Sequence, residues 1–108
     1  MKNLPPLEIA VLAAVFRLQG NAYGVSIMDE VSKREGREIP YGVTHVMLKR
    51  LLDKGLLTAK MGEPTSEKGG RRKRFYRPTG EGEAALQAAF SLSQQRFRGL
   101  QSLKPVAS

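Results

Sequence analysis

Cysteine and tryptophan are both absent from this 108-residue chain, and histidine occurs once, as His45. Without cysteine there is no disulfide framework, no thiolate zinc site and no thiol nucleophile, a usage that fits a reducing compartment. Long apolar runs are missing too. None approaches the roughly 18–20 residues that a membrane-crossing helix needs, so no transmembrane helix is expected. Met1-Lys2-Asn3-Leu4-Pro5-Pro6 passes into an apolar stretch, Leu7 to Leu18, that carries Glu8 and Arg17 and has no small-residue cleavage site. No signal peptide is therefore expected, and the reading is a cytoplasmic protein. The same scarcity bears on catalysis. There is no nucleophile–base pair, no metal-ligand spacing and no phosphate-cradling loop between a strand and a helix, so neither an enzyme nor a cofactor is expected.

Acidic side chains are the last shortage. Ten Asp and Glu stand against 18 Lys and Arg, giving a formal net charge of +8 at pH 7. A basic balance suggests a polyanionic partner, and the placing of the charge says more than its total. Between Lys68 and Arg77 there are six cations (Lys68, Arg71, Arg72, Lys73, Arg74 and Arg77) and no acid.

The length is enough for one small core. A first helix is expected over Leu7–Leu18. One side carries Leu7, Val11, Ala14, Val15 and Leu18, the other Ile9, Leu12, Ala13 and Phe16, so the helix must be covered nearly all round. Either it is the central helix of a monomer or a second subunit supplies part of the cover. Gly20 to Gly24 reads as a turn, followed by a second helix to about Arg34 that buries Gly24, Ile27, Met28 and Val31. Glu35 to Pro40 connects it to a third helix over Gly42–Lys54, which stops at Gly55. Leu56–Met61 and Lys73–Arg77 read as strands joined by turn-forming residues from Gly62 to Gly70. In the second strand one of Phe75 and Tyr76 should point inward. Thr79 is the expected N-cap of a last helix running to about Arg98 or Leu103. In that helix Leu86, Phe90, Ser93, Phe97 and Leu100 follow a four-three spacing, a heptad-like seam.

The third helix divides into two faces. Met47, Leu48, Leu51 and Leu52, with Thr44, suit a core. Gly42, His45, Val46, Lys49 and Asp53 recur on the other side at i, i+3, i+4, i+7. A helix entering a DNA major groove has this form: a buried anchor, side chains that reach base edges, and little bulk where the backbone approaches. An ordinary surface helix would look similar. The neighbours shift the balance towards DNA, because a helix, a connector and this helix, followed by a basic hairpin, make a winged helix-turn-helix. The hairpin cations suit phosphate contact, though a charged hairpin also protects a sheet edge.

The ordered details resemble the PadR-type transcriptional regulators. The pieces are Leu7 and Leu12 in the first helix and Tyr23-Gly24 opening the second. Then come Gly42-Val43-Thr44-His45-Val46-Met47-Leu48, Lys49-Arg50-Leu51 and Gly55-Leu56-Leu57. Gly70-Arg71-Arg72-Lys73-Arg74 leads into Phe75-Tyr76-Arg77-Pro78-Thr79, with Gly82 and Leu86 closing the set. The resemblance spans roughly Leu4 to Leu86, and the short C-terminal part resembles the compact class with a single C-terminal helix. Where the family has a tyrosine followed by proline in the recognition helix, this chain has His45 and Val46. The resemblance carries the tyrosine's DNA-contact role to His45, whose imidazole can hydrogen-bond a base or a phosphate. Members are usually dimeric repressors, some released by small aromatic or cationic ligands. Only Phe16, Phe90 and Phe97 are available to line such a site here, so an effector stays unspecified.

The resulting expectation is an α+β, mostly helical fold: a winged helix-turn-helix over residues 1–78, a C-terminal dimerisation helix over 79–103 and a loose tail over 104–108. The expected function is a homodimeric regulator, a repressor of double-stranded DNA targets, reading a near-palindromic operator. Tyr41, Gly42, Val43, His45, Val46, Lys49, Arg50, Lys68, Arg71, Arg72, Lys73 and Arg74 would make up the DNA-binding surface, with His45 and Lys49 reaching bases, Val43 or Val46 a thymine methyl, and Arg50, Arg71, Arg72, Lys73 and Arg74 phosphates. Val11, Val15, Phe16, Leu86, Phe90, Phe97 and Leu100 would form the dimer interface. The competing reading is a winged-helix protein-interaction module, an adaptor or antirepressor without specific DNA binding.

Overall fold

The computed structural model of the chain describes residues 4–63 and 72–100. Its elements are α1 (Pro6–Leu18), α2 (Gly24–Glu35), α3 (Tyr41–Asp53), β1 (Leu57–Met61), β2 (Arg74–Pro78) and α4 (Gly80–Arg96). This is the expected winged helix-turn-helix: three helices, a two-stranded hairpin and a C-terminal helix. Among the described residues, no helix is long and apolar enough to cross a membrane.

α1 is the centre of the core. Val11, Leu12, Ala14 and Val15 are buried there, against Ile27 and Val31 of α2 and Leu48 and Leu51 of α3. Pro6 starts α1 at a position where its missing N–H is no loss. At the start of α2, the Ser26 hydroxyl accepts from the Tyr23 N–H at 2.9 Å and donates to the Asn21 carbonyl at 2.7 Å, which pins the entering turn.

α3 ends through backbone bonding. Leu56 N–H reaches the Leu51 carbonyl at 2.9 Å and Gly55 N–H the Leu52 carbonyl at 3.0 Å. The reversal needs a left-handed residue, and Gly55 supplies it at φ +74°. The next contact couples this end to α4. Thr79 caps α4 by accepting from Gly82 N–H at 3.0 Å, and its hydroxyl donates to the Gly55 carbonyl at 2.7 Å. One side chain thus fixes both the exit of α3 and the entry of α4.

β1 and β2 pair antiparallel, with Ala59 opposite Tyr76 and Met61 opposite Arg74. Tyr76 is the inward aromatic of the strand, and Phe75 lies half-buried on the other face, edge-on to Tyr23 at 5.7 Å. β2 has a second neighbour: Tyr76 N–H bonds the Ala22 carbonyl at 2.8 Å, and Tyr23 bridges Phe75. The stretch expected to be only a turn therefore also guards the outer edge of the hairpin.

α4 departs from its expected length. The helix stops at Arg96, and Gly99 lies at φ +89°. Phe97 and Leu100 therefore fall beyond the helix, although their spacing continues its seam. A helix stops where the backbone turns, and apolar spacing does not report that.

Candidate nucleic-acid interface

The two faces of α3 separate as their periodicity requires. Thr44, Met47, Leu48 and Leu51 are buried, while Tyr41, Gly42, Val43, His45, Val46, Lys49 and Arg50 are all exposed. The Thr44 hydroxyl is satisfied inside by the Pro40 carbonyl at 3.3 Å. Among the described residues the outward face is therefore exposed along its length, and a Cβ placed on Gly42 would meet nothing within 4 Å. Its first turn offers room for close approach by a large partner.

Specific contacts set the side chains around this face. The Tyr41 ring stacks beside His45 at 6.1 Å, on α3's own surface. Tyr41 also lies against Gly24, where any Cβ would collide with its ring and hydroxyl. Gly24 thus serves a packing purpose at the α2–α3 junction. Lys49 pairs with Asp53 one turn on, at 3.4 Å, with both side chains mostly in water. Such a pair contributes only about 0.3–0.5 kcal/mol, so the ammonium is easily given to another partner.

The hairpin meets α3 along one flank. His45, Lys49, Leu52 and Asp53 share a shallow polar cleft with Arg74 and Tyr76 of β2. The Arg74 guanidinium stands 5.6 Å from the Tyr76 ring. Burial pushes the Tyr76 phenol up from its ordinary range, and the neighbouring Arg74 charge works against that rise. Three cationic or proton-accepting side chains, His45, Lys49 and Arg74, therefore line one cleft. Arg72 and Lys73 extend the basic run on the exposed edge, and Lys73 holds its ammonium 4.2 Å from the Tyr23 ring centre. Lys68 and Arg71, the other two cations named for phosphate contact, lie outside the described residues.

Arg50 is not a free cation. Its guanidinium faces the Glu8 carboxylate at 3.7 Å, and Lys54 bonds the other oxygen of the same group. Nothing in the sequence spacing pointed to Glu8, an acid in an apolar helix.

The proposed subunit-interface residues separate into two sets. Val11 and Val15 are 0% and 1% exposed inside the protomer's own core, so they have no surface to offer a partner. Of the other stripe Leu12 is also buried, and Ile9, Ala13 and Phe16 make the outward side of α1. Ile9, Ala13 and Phe16 face Leu86, Ala89 and Phe90 of α4 across a groove of about 810 Å³. Phe90 and Phe97 are 64% and 62% exposed, and Leu100 is exposed beside them. Among the described residues, no group of His, Asp and Glu is placed to hold a metal ion.

Residues 11–88 match the family model of the transcriptional regulator PadR-like family. No curated protein sequence matches the chain significantly. Solved structures do. A PadR-like transcription factor from Bacteroides fragilis superposes with a TM-score of 0.69 at 22% identity, covering 91% of this chain and 89% of that one. A PadR family transcription regulator from Clostridium difficile R20291 gives 0.63 at 22% identity, over 92% and 94%. Bordetella bronchiseptica BpsR, whose DNA binding is regulated by 6-hydroxynicotinic acid, gives 0.65 at 20% identity, over 93% and 70%. At these identities the structural likeness shows a common fold.

Proposed function

This chain belongs to the PadR-like family of DNA-binding transcriptional regulators, and we propose that it acts there as a dimeric repressor of a near-palindromic operator. It is a regulator rather than an enzyme. The observation that carries the proposal is the division of α3. Its inner face is committed to the core, while Gly42, Val43, His45, Val46 and Lys49 stand clear of it, and His45 and Lys49 share a cleft with Arg74 of β2.

In this reading α3 enters a major groove. His45 and Lys49 donate to base edges, and Val43 or Val46 touches a thymine methyl. Arg72 and Arg74 hold phosphates, giving affinity without sequence information. Residues 1–78 form the DNA-reading unit, and the helical part that follows joins two copies. Two such helices, about 34 Å apart, would read successive major grooves on one side of the duplex. A small-molecule effector, of the kind that regulates BpsR, would act in the α1–α4 groove, whose lining includes Phe16, Phe90, Arg17 and Arg96.

The apolar exposure of Tyr41, Val43 and Val46 favours a second reading, a protein-docking face. Binding to random and genomic duplex DNA across a salt series, with sequencing of the selected fragments, decides between them. The expected result is a steep salt dependence and an enriched inverted repeat. Absence of DNA binding at roughly 0.15 M salt would sink the DNA reading and leave the docking face. Placing the recovered operator against its promoter then tests repression.

A further inference from the structure

Glu8 is the one charged residue buried among the described residues, at 1% exposure. A carboxylate withdrawn from water is tolerated only when cations and hydrogen bonds replace its hydration. Both replacements come from the far end of α3. Lys54 Nζ bonds one carboxylate oxygen, and Arg50 Nη1 faces the other at 3.7 Å. Lys54 lies 46 residues along the chain from Glu8, so this is a tertiary tie between α1 and α3.

Helical spacing places the tie. With the buried line of Thr44, Leu48 and Leu51 as the inner face, Val43, Arg50 and Lys54 fall on one flank of α3. Tyr41, His45 and Leu52 fall on the other. The first flank is held by Glu8, and the second borders Arg74 and Tyr76 of β2. The ion pairs on one flank and the sheet on the other set the rotation of α3 about its own axis. That angle matters for reading bases. At a side-chain radius of about 5 Å, a roll of about 20° moves a donor by roughly 2 Å, more than the tolerance of a hydrogen bond.

We propose that Glu8 is a positioning residue for sequence reading: it clamps Arg50 and Lys54 so that α3 presents His45 and Lys49 at a fixed rotation, and it withholds those two cations from non-specific phosphate contact. The inference rests on α3 being the DNA-reading helix. It also gives α1 a mechanical role. Glu8 sits one residue from Ile9, which walls the α1–α4 groove, so a shift of α1 at that groove is transmitted to α3.

The test compares wild type with Glu8→Gln and Glu8→Asp on two probes, the fragment that wild type selects and random duplex of the same length. The quantity read is the ratio of the two affinities. Glu8→Gln is expected to lower that ratio by about tenfold, the worth of one good base contact. Affinity for random duplex is expected to hold or rise, its salt slope steepening by about two as the two freed cations meet phosphate. Glu8→Asp, which keeps the charge, is expected to restore the ratio. A variant that is only less stable loses active protein, so both affinities fall by one factor and the ratio is unchanged, which overturns the clamp. If Glu8→Gln does not fold, Lys54→Gln carries the same test, because Arg50 remains to neutralise Glu8. Failure of wild type to bind either probe overturns the DNA-reading function and the clamp with it. Wild-type binding with an unchanged ratio overturns the clamp alone.

Discussion

Lys49 and Gly82 show how differently two single residues act in this fold. Lys49 supports almost nothing in the protomer, since its partner Asp53 is exposed and the pair is weak. Replacing it with alanine should leave thermal stability within about 0.5 kcal/mol of wild type. Its proposed role is toward DNA. Lys49→Ala is expected to change the order of preference among selected DNA fragments, with a loss of about 1–3 kcal/mol of discrimination at one base pair. Competition binding with single-base variants of the operator measures this, and an unaltered preference would remove Lys49 from the base contacts. Gly82 is the reverse case. It is buried at the start of α4, against the Leu56 backbone carbonyl, where an added Cβ would collide. That carbonyl is fixed by the Thr79 N–H at 3.1 Å, in the same junction that ends α3. Gly82→Ala should therefore destabilise by about 1–3 kcal/mol despite alanine's better helix propensity. A urea melt with an unchanged midpoint would refute that.

At the scale of elements, the hairpin carries the next prediction. Arg72 is exposed, and Arg74 lines the cleft shared with α3, so both can reach phosphate. Lys73 already has its ammonium over the Tyr23 ring, an attraction of about 0.5–1 kcal/mol at an exposed site, so its removal should matter less. The double variant Arg72→Ala, Arg74→Ala should weaken operator and random duplex by a similar factor and flatten the salt slope by about two. Loss confined to the operator would instead make these side chains base readers. How far such elements were legible from sequence depends on what fixed each one. α3 was readable because its apolar spacing and Gly55 act locally, and its bounds moved by only one residue at each end. The hairpin was readable from alternation and turn residues. The tie from Ala22 and Tyr23 to β2 was hidden because two residues carry no period. Glu8 was hidden because its partners lie on another helix. The two stripes of α1 are about equally apolar, so spacing alone could not say that Val11 and Val15 face inward while Ile9, Ala13 and Phe16 face out.

For the whole molecule, the unfinished surface is the side where α1 and α4 meet. A lone protomer leaves Phe90 and Phe97 about two-thirds in water beside an apolar groove, an arrangement that a second copy can cover. A twofold interface uses each residue twice. If Phe90 of each copy enters the other's groove, each contributes roughly 2–3 kcal/mol of burial. Together they amount to about a thousandfold to ten-thousandfold in the dimer dissociation constant. Phe90→Asp also puts a charge in the seam, so the loss should be at least that large. The folded core should be barely affected, because Phe90 takes little part in it. The expected outcome is a concentration-dependent shift from dimer to monomer in sedimentation, with circular dichroism unchanged. On DNA, the monomer should still bind one half-site and lose the steep, spacing-dependent binding to the inverted repeat. The spacing is the sharper observation, because only two α3 helices held rigidly by one interface can distinguish half-sites a turn apart from half-sites moved by half a turn. A Phe90→Asp chain that stays dimeric and still prefers one spacing would show that the subunits join elsewhere.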